Sequence, residues 1–427
     1  MIATMQIFVD GRWTTAGAFE SGRIDVARGI AGGGFLEYDP DFTLSHLDNS
    51  PACRVGLGYP INFELHKSAC WPPFLLDILP SGAGRRVWLR RLGLTDNEAA
   101  DWQLLLNGAG NPPGNLRVAE AVIPPAGTHP GFTKEEIVDK QADFIEYAEA
   151  RGAVVAGATD VAGDAPKFLL VRDRNRRWHP DGALEDRDIL DCWLVKFPRG
   201  KSEADRTVLR NESPYYEVAR RFGIRTGQPL KFADDALFIP RFDREANSGS
   251  LARRGLETLS SAAGIAEYGR RGDHAVFCAA IAAFATDAGN ELREYLRREI
   301  LNVALRNTDN HGRNSAFIKH ADGTVRLSPL YDFAPMFLDP EGIPRSSRWD
   351  GELEPVIGRP AWGKVAEALH PHIDPLETRA FLAGHAEAVE NLPDTMRECG
   401  VEDRVIEGVA RRCAEIAADL RDAAVKG

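Results

Sequence analysis

"LRNTDNHGRNSAFIK", residues 305–319, is the stretch on which the reading of this chain turns. It closes a long amphipathic segment and places Asn307, Asp309, Asn310, His311 and Asn314 within eight positions. An ordinary connection from a helix to a strand needs only a turn. Asn and Asp do stabilise turns through their own side chains, so an Asx-rich turn is the plain alternative for this loop taken alone.

Two neighbours in the sequence give the loop a chemical meaning. Asp309 and Asn314 stand five residues apart, the D-x-x-x-x-N spacing of protein kinase catalytic loops. In that arrangement the Asp accepts the proton of an attacking hydroxyl, while the Asn holds Mg2+ against the nucleotide phosphates. Eighteen residues after Asn314 comes "LYDF", which puts Asp332 behind a short apolar run where kinases carry their second metal-binding Asp; Ala334 replaces the usual Gly. His311 has no second His or Cys at ligand spacing, so a zinc site is not expected.

Phosphoryl transfer also needs a cation at the nucleotide. Lys196 ends the alternating run "DCWLVKFP", and Glu212 opens a helical segment sixteen residues later, the arrangement of a strand lysine paired with a helix carboxylate. A surface lysine with a buried stem is the plain alternative. Upstream, "GATDVAGDAPKFLLV" is a turn leading into a strand; Ala162, Gly163, Asp164, Ala165, Pro166 and Lys167 suit backbone contacts to phosphate oxygens. "ALFIPRFDRE" reads as a hinge. There the chain passes Pro240 into Arg241, Phe242 and Asp243 and would offer one backbone carbonyl and one N–H to adenine and a carboxylate to the ribose, or Arg241 and Asp243 form an ordinary surface ion pair.

Length and composition bound the class without naming a function. A chain of 427 residues, 44% hydrophobic and 27% charged, accommodates two or three globular domains. Its net charge of -11 argues against broad adhesion to nucleic acid. Six cysteines form no C-x-x-C pair and suggest reduced thiols in the cytoplasm. No apolar run reaches the length of a membrane span, and the N-terminus has no signal-peptide pattern.

The pattern divides the chain in three: residues 1–150 with short strands ("MQIFVDGRW", "GRIDVARG") and then helices, 151–248 rich in strands, and 249–427 mostly helical. Thr133 and Glu136 form a capping box before "TKEEIVDKQADFIEYAEARG". Pro214, in "ESPYYEVARRFGI", is expected in the first turn of its helix.

Taken in order, "GDAPKFLLV", "WLVKFP", "NESPYYEVA", "FIPRFDR", "ALRNTDNHGRN" and "LSPLYDF" resemble the HipA family, the kinase toxins of bacterial type II toxin-antitoxin modules. The resemblance covers most of the chain, and its specificity lies in the order and spacing of six motifs. It implies an α+β, bilobed, protein-kinase-like fold with a strand-rich N-terminal half and a helical C-terminal lobe. It further implies use of ATP and Mg2+ to phosphorylate a serine or threonine of a protein. Asp309 would be the base, Asn314 and Asp332 the metal ligands and Lys196 the phosphate-binding lysine, with His311 and Tyr331 lining the nucleotide site, Pro240 and Phe242 offering backbone groups to adenine, Asp243 meeting the ribose and residues 162–167 covering the phosphates. Characterised members modify an aminoacyl-tRNA synthetase and are held by a HipB-like DNA-binding antitoxin, so DNA would be met only through that partner. One departure is visible: the position where family toxins often carry an autophosphorylated serine is Asp160, beside Thr159.

Two rival readings stand beside this one. A small-molecule or lipid kinase shares the D-x-H-x-x-N loop, but a membrane substrate would favour a basic surface. A catalytically idle co-repressor that binds an antitoxin would have no need for Lys196, Asp309, Asn314 and Asp332 together.

Overall fold

The computed structural model describes residues 1–125, 129–155, 166–247 and 249–425. The chain groups into two compact units that interleave along the sequence.

The first unit comprises residues 1–200, 232–269 and 317–325. Its five-stranded antiparallel sheet runs His66–Ser68, Gly34–Tyr38, Arg12–Glu20, Ile2–Val9, Leu116–Val118. The first hairpin turns at Asp10 and Gly11, both at positive φ (51° and 75°), the geometry whose twist matches paired strands. Alternation then sends Ala3, Met5 and Ile7 inward, all 0% exposed, onto a core built around Phe19, Trp71 and Trp102. "GRIDVARG", expected as a strand, is instead a helical turn at Arg23–Val26 followed by a 3-10 turn at Gly29–Ala31. The Val26 N–H closes on the Gly22 carbonyl, and Asp25 accepts from the Gly33 N–H, so local turn bonds win over alternation.

A second sheet in this unit runs Lys231–Ala233, Ala236–Pro240, Ile189–Lys196, Lys167–Asp173, Val154–Val155, with Trp178–Pro180 paired to Lys167–Asp173. Helices Lys134–Val138 and Ala142–Ala150 bury Ile137 and Phe144 in the same core as the sheet residues Phe168 and Val195. The Thr133/Glu136 capping box is formed on both sides.

The second unit, residues 201–231, 270–316 and 326–427, is mostly helical. Its principal helices are Glu203–Arg221, His274–Phe284, Ala288–Ala304 and Asp403–Val425. Pro214 does not lie in a first turn: a Ser202/Asp205 capping box starts that helix at Glu203, and the proline falls in its interior. A proline there removes one intrahelical hydrogen bond, at a cost of about 3 kcal/mol. The buried face formed by Leu209, Tyr215, Val218 and Ala219, together with the cap, offsets this loss. The strand-rich first half and helical remainder are those expected of an α+β chain. Among the described residues, no helix is long and apolar enough to cross a membrane.

Candidate active site

The loop at 305–314 begins as the termination of a helix. Ala288–Ala304 starts at Asp287, which accepts from the Asn290 N–H, and buries Leu292, Leu296 and Ile300. It ends with Arg306 in the left-handed region (φ 55°), and the Asn307 N–H returns to the Asn302 carbonyl at 3.0 Å. A paired Asn307–Asn302 side-chain bond, also 3.0 Å, reinforces that stop. The chain therefore leaves the helix in a fixed direction, and the polar cluster follows at once.

Within the loop, the Asn314 amide Nδ2 donates to the Asp309 carbonyl at 2.8 Å, and the Asn314 N–H to the His311 carbonyl at 2.9 Å. His311 Nε2 lies 3.3 Å from Asp309 Oδ1, without hydrogen-bond geometry. Both side chains keep some access to solvent, 15% and 16% exposed. The Tyr331 hydroxyl donates to the Arg313 carbonyl at 2.7 Å, which ties the "LYDF" segment to the loop. Asp309, Asn314, Tyr331 and Asp332 consequently line one cleft, together with His311.

Asp332 itself sits at φ 52°. For a residue with a side chain this region costs on the order of 1 kcal/mol or more, and such strain persists only where the surroundings impose it. Here the imposing contacts are visible on both sides. Phe333 is buried, with its ring 5.5 Å from that of Tyr215. Preceding Asp332, the Ser328 N–H bonds to the Ala316 carbonyl and the Leu330 N–H to the Arg225 carbonyl.

An ionic cluster that sequence reasoning missed holds the same segment. Arg225 pairs with Glu291 at 2.8 Å and donates to the Leu327 carbonyl, while Glu291 accepts the Leu327 N–H. Arg298 bonds Glu294 and the Ser328 carbonyl at 2.6 Å. Burial opposes charge on Glu294, yet Arg298 and the Arg225 N–H hold its carboxyl below the ordinary value. The available signal was Glu291, Glu294 and Arg298 recurring on the apolar face of a helix, where buried charges require partners.

In the first unit, Lys196 ends its strand at 4% exposure, directly opposite Lys167 across two antiparallel strands. The Phe197 N–H closes on the Pro166 carbonyl. Ala162, Gly163, Asp164 and Ala165, like Thr159 and Asp160, lie outside the described residues. Glu212 is buried in the helix Glu203–Arg221 of the second unit.

Arg241 and Asp243 do form an ion pair, but a buried one. Neither is on the surface: they are 8% and 4% exposed, and the Asp243 carboxylate accepts from Arg241 Nε and Nη2, Arg244 Nη1 and the Gly114 N–H, at 2.6–2.9 Å. Arg241 also pairs with buried Asp181. Three of these donors reach Oδ2 and one, Arg241 Nε, reaches Oδ1, so the carboxylate is committed chiefly to this buried ion cluster. Burial disfavours its charge, but Arg241 and Arg244 hold the carboxyl well below the ordinary range. Pro240 has no N–H to offer, the Arg241 N–H bonds the Cys192 carbonyl, and the Phe242 carbonyl accepts from Arg254.

Residues 159–418, more than half of the chain, match the family of HipA-like C-terminal domains. No curated protein sequence matches the chain. Among solved structures, the fold is similar to that of the toxin-antitoxin system of Shewanella oneidensis MR-1, HipA with HipB and operator DNA. That likeness has a TM-score of 0.66 and 16% identity over 99% of this chain and 96% of the other. The Helicobacter pylori proinflammatory kinase CtkA aligns more loosely, at a TM-score of 0.35 and 12% identity, over 62% of this chain and 92% of that one.

Proposed function

The chain belongs to the family of HipA-like C-terminal domains, and from that premise we propose that it is an ATP- and Mg2+-dependent kinase acting on a serine or threonine of a protein. The observation that carries this reading is the convergence of Asp309, Asn314 and Asp332 on one cleft, with Asp332 held at a strained φ.

The donor set fits a magnesium ion. Mg2+ takes hard oxygen ligands, commonly one or two from side chains with the rest from phosphates and water. Asn314 uses its amide N–H on the Asp309 carbonyl, which leaves its oxygen as the atom able to take an ion, and Asp332 lines the same cleft. When bound, the ion would neutralise charge on the transferring phosphate. Asp309 would take the proton of the acceptor hydroxyl, and Lys196 with Lys167 would attract the phosphates. Residues 151–248 would then serve the nucleotide and 249–427 the catalytic and metal loops.

The proposed partner is a HipB-like DNA-binding antitoxin, supported by the similar fold found in a complex of HipA with HipB and operator DNA. An aminoacyl-tRNA synthetase is the proposed acceptor by family resemblance. Incubation with γ-labelled ATP, Mg2+ and a bacterial extract tests the reading. Wild type should label a protein on serine or threonine, whereas Asp309→Ala and Asp332→Ala should lose transfer by at least about 100-fold. Equal labelling by all three proteins would remove the assigned roles.

A further inference from the structure

The residue beside Asp309 makes a contact that no motif explains. Asn310 is 8% exposed, and its side-chain amide grips the backbone of Ser347 from both ends. Asn310 Nδ2 donates to the Ser347 carbonyl at 3.1 Å, and the Ser347 N–H donates to Asn310 Oδ1 at 3.1 Å. A side-chain amide used this way copies one rung of a β-ladder.

The receiving segment is itself fixed. Ser347 and Arg348 pair in parallel with Gly272 and Asp273, and the Gly272 N–H bonds the Ser346 carbonyl at 3.0 Å. Gly272 is required for that approach, since a Cβ there would fall 2.6 Å from Ser347 Oγ and from the Phe277 ring. Two residues before Ser347, buried Arg345 pairs with Glu299 of the helix Ala288–Ala304, and its Nε lies 3.4 Å from Glu354. His274 completes this end, with Nε2 3.3 Å from Arg345 Nη2 and Nδ1 2.7 Å from the Tyr295 hydroxyl.

These contacts close a circuit. The helix Ala288–Ala304 leads into the loop, the loop reaches Ser347 through Asn310, and Arg345 returns to the same helix at Glu299. We propose that Asn310 is a positioning residue that locks the loop bearing Asp309 onto the segment 345–348, so that the base is fixed before any nucleotide arrives. The inference rests on the phosphotransfer reading for its catalytic consequence, but not for the clamp. A base displaced by about 1 Å loses on the order of 100-fold in rate. Nucleotide affinity should be spared, because both ends of the Asn310 amide are engaged by the Ser347 backbone.

The test has two parts. In the full-length protein without nucleotide, amide exchange followed by NMR should show the Ser347 N–H protected; fast exchange there in the wild type overturns the clamp. With Asn310→Ala, that protection should vanish while the amides of the helix Ala288–Ala304 keep theirs, and kcat for label transfer should fall by about 10- to 100-fold with KM for ATP within about 3-fold. An unchanged kcat, or a rise in KM that accounts for the whole loss, overturns the positioning role. Absence of transfer by the wild type would instead fell the phosphotransfer reading and with it the catalytic role, leaving exchange to decide the clamp.

Discussion

Asp243→Ala separates two roles for one carboxylate, a partner in a buried ion cluster or a ribose acceptor. Arg241, Arg244, Asp181 and Asp243 form a buried set of two positive and two negative groups. Removing Asp243 leaves one uncompensated positive charge and strips partners from Arg241, Arg244 and the Gly114 N–H. Breaking a buried pair in this way costs about 3–5 kcal/mol. With a urea dependence near 3 kcal/mol per M, the unfolding midpoint should fall by roughly 1–1.7 M. A ribose contact would behave differently: loss of one hydrogen bond to a charged group, about 1.5–3 kcal/mol, would weaken nucleotide binding by roughly 10- to 100-fold and leave the midpoint alone. Urea unfolding followed by tryptophan fluorescence, alongside ATP titration of the still-folded variant, measures both. An unchanged midpoint with weakened binding would refute the buried-charge account. The sign with pH is also fixed, because Asp243 is held well below its ordinary value of 3.8. Its contribution is present above that value and is lost as the pH falls through the lowered one.

Three further outcomes are expected. Gly272→Ala should destabilise by about 1–3 kcal/mol by overpacking against Ser347 and Phe277, lowering the thermal midpoint by several degrees; an unchanged midpoint would mean the two segments are not so close. Phe333→Ala should cost about 3–5 kcal/mol, since the ring is buried against Tyr215; a loss below about 1 kcal/mol in urea unfolding would show that contact to be loose. Burial, then the neighbouring Arg345, lowers the His274 imidazole from 6.5 to about 3. The unfolded chain therefore takes up this proton first, and stability should decline as pH drops from about 6.5 towards 3. Comparing urea midpoints of wild type and His274→Phe across that range isolates the imidazole, and parallel curves would exclude it.

What could be read from the sequence was what neighbours in sequence decide. Lys167–Asp173 announced itself as a strand, and Thr133 with Glu136 as a cap, because each signal is complete within a few residues. Asp309, Asn314 and Asp332 stood out through their spacing, and they line one cleft. The start of the helix Glu203–Arg221 was hidden by Pro214, although Ser202 and Asp205 carried the cap that proved decisive. The fate of Asp243 depended on Gly114 and Asp181, and that of Asn310 on Ser347, partners remote in sequence that only folding brings together. The strained φ of Asp332 had no local signal either, since it is imposed by packing around Phe333 and by the ionic cluster at Arg225 and Arg298.

Binding of ATP followed by calorimetry, with and without Mg2+, tests most directly the claim that Asn314 and Asp332 hold a divalent ion against the nucleotide. Wild type should bind at least about 10-fold more tightly when Mg2+ is present, and that gain should disappear in Asp332→Ala and shrink in Asn314→Ala. The same Mg2+-dependent gain in all three proteins would contradict the account.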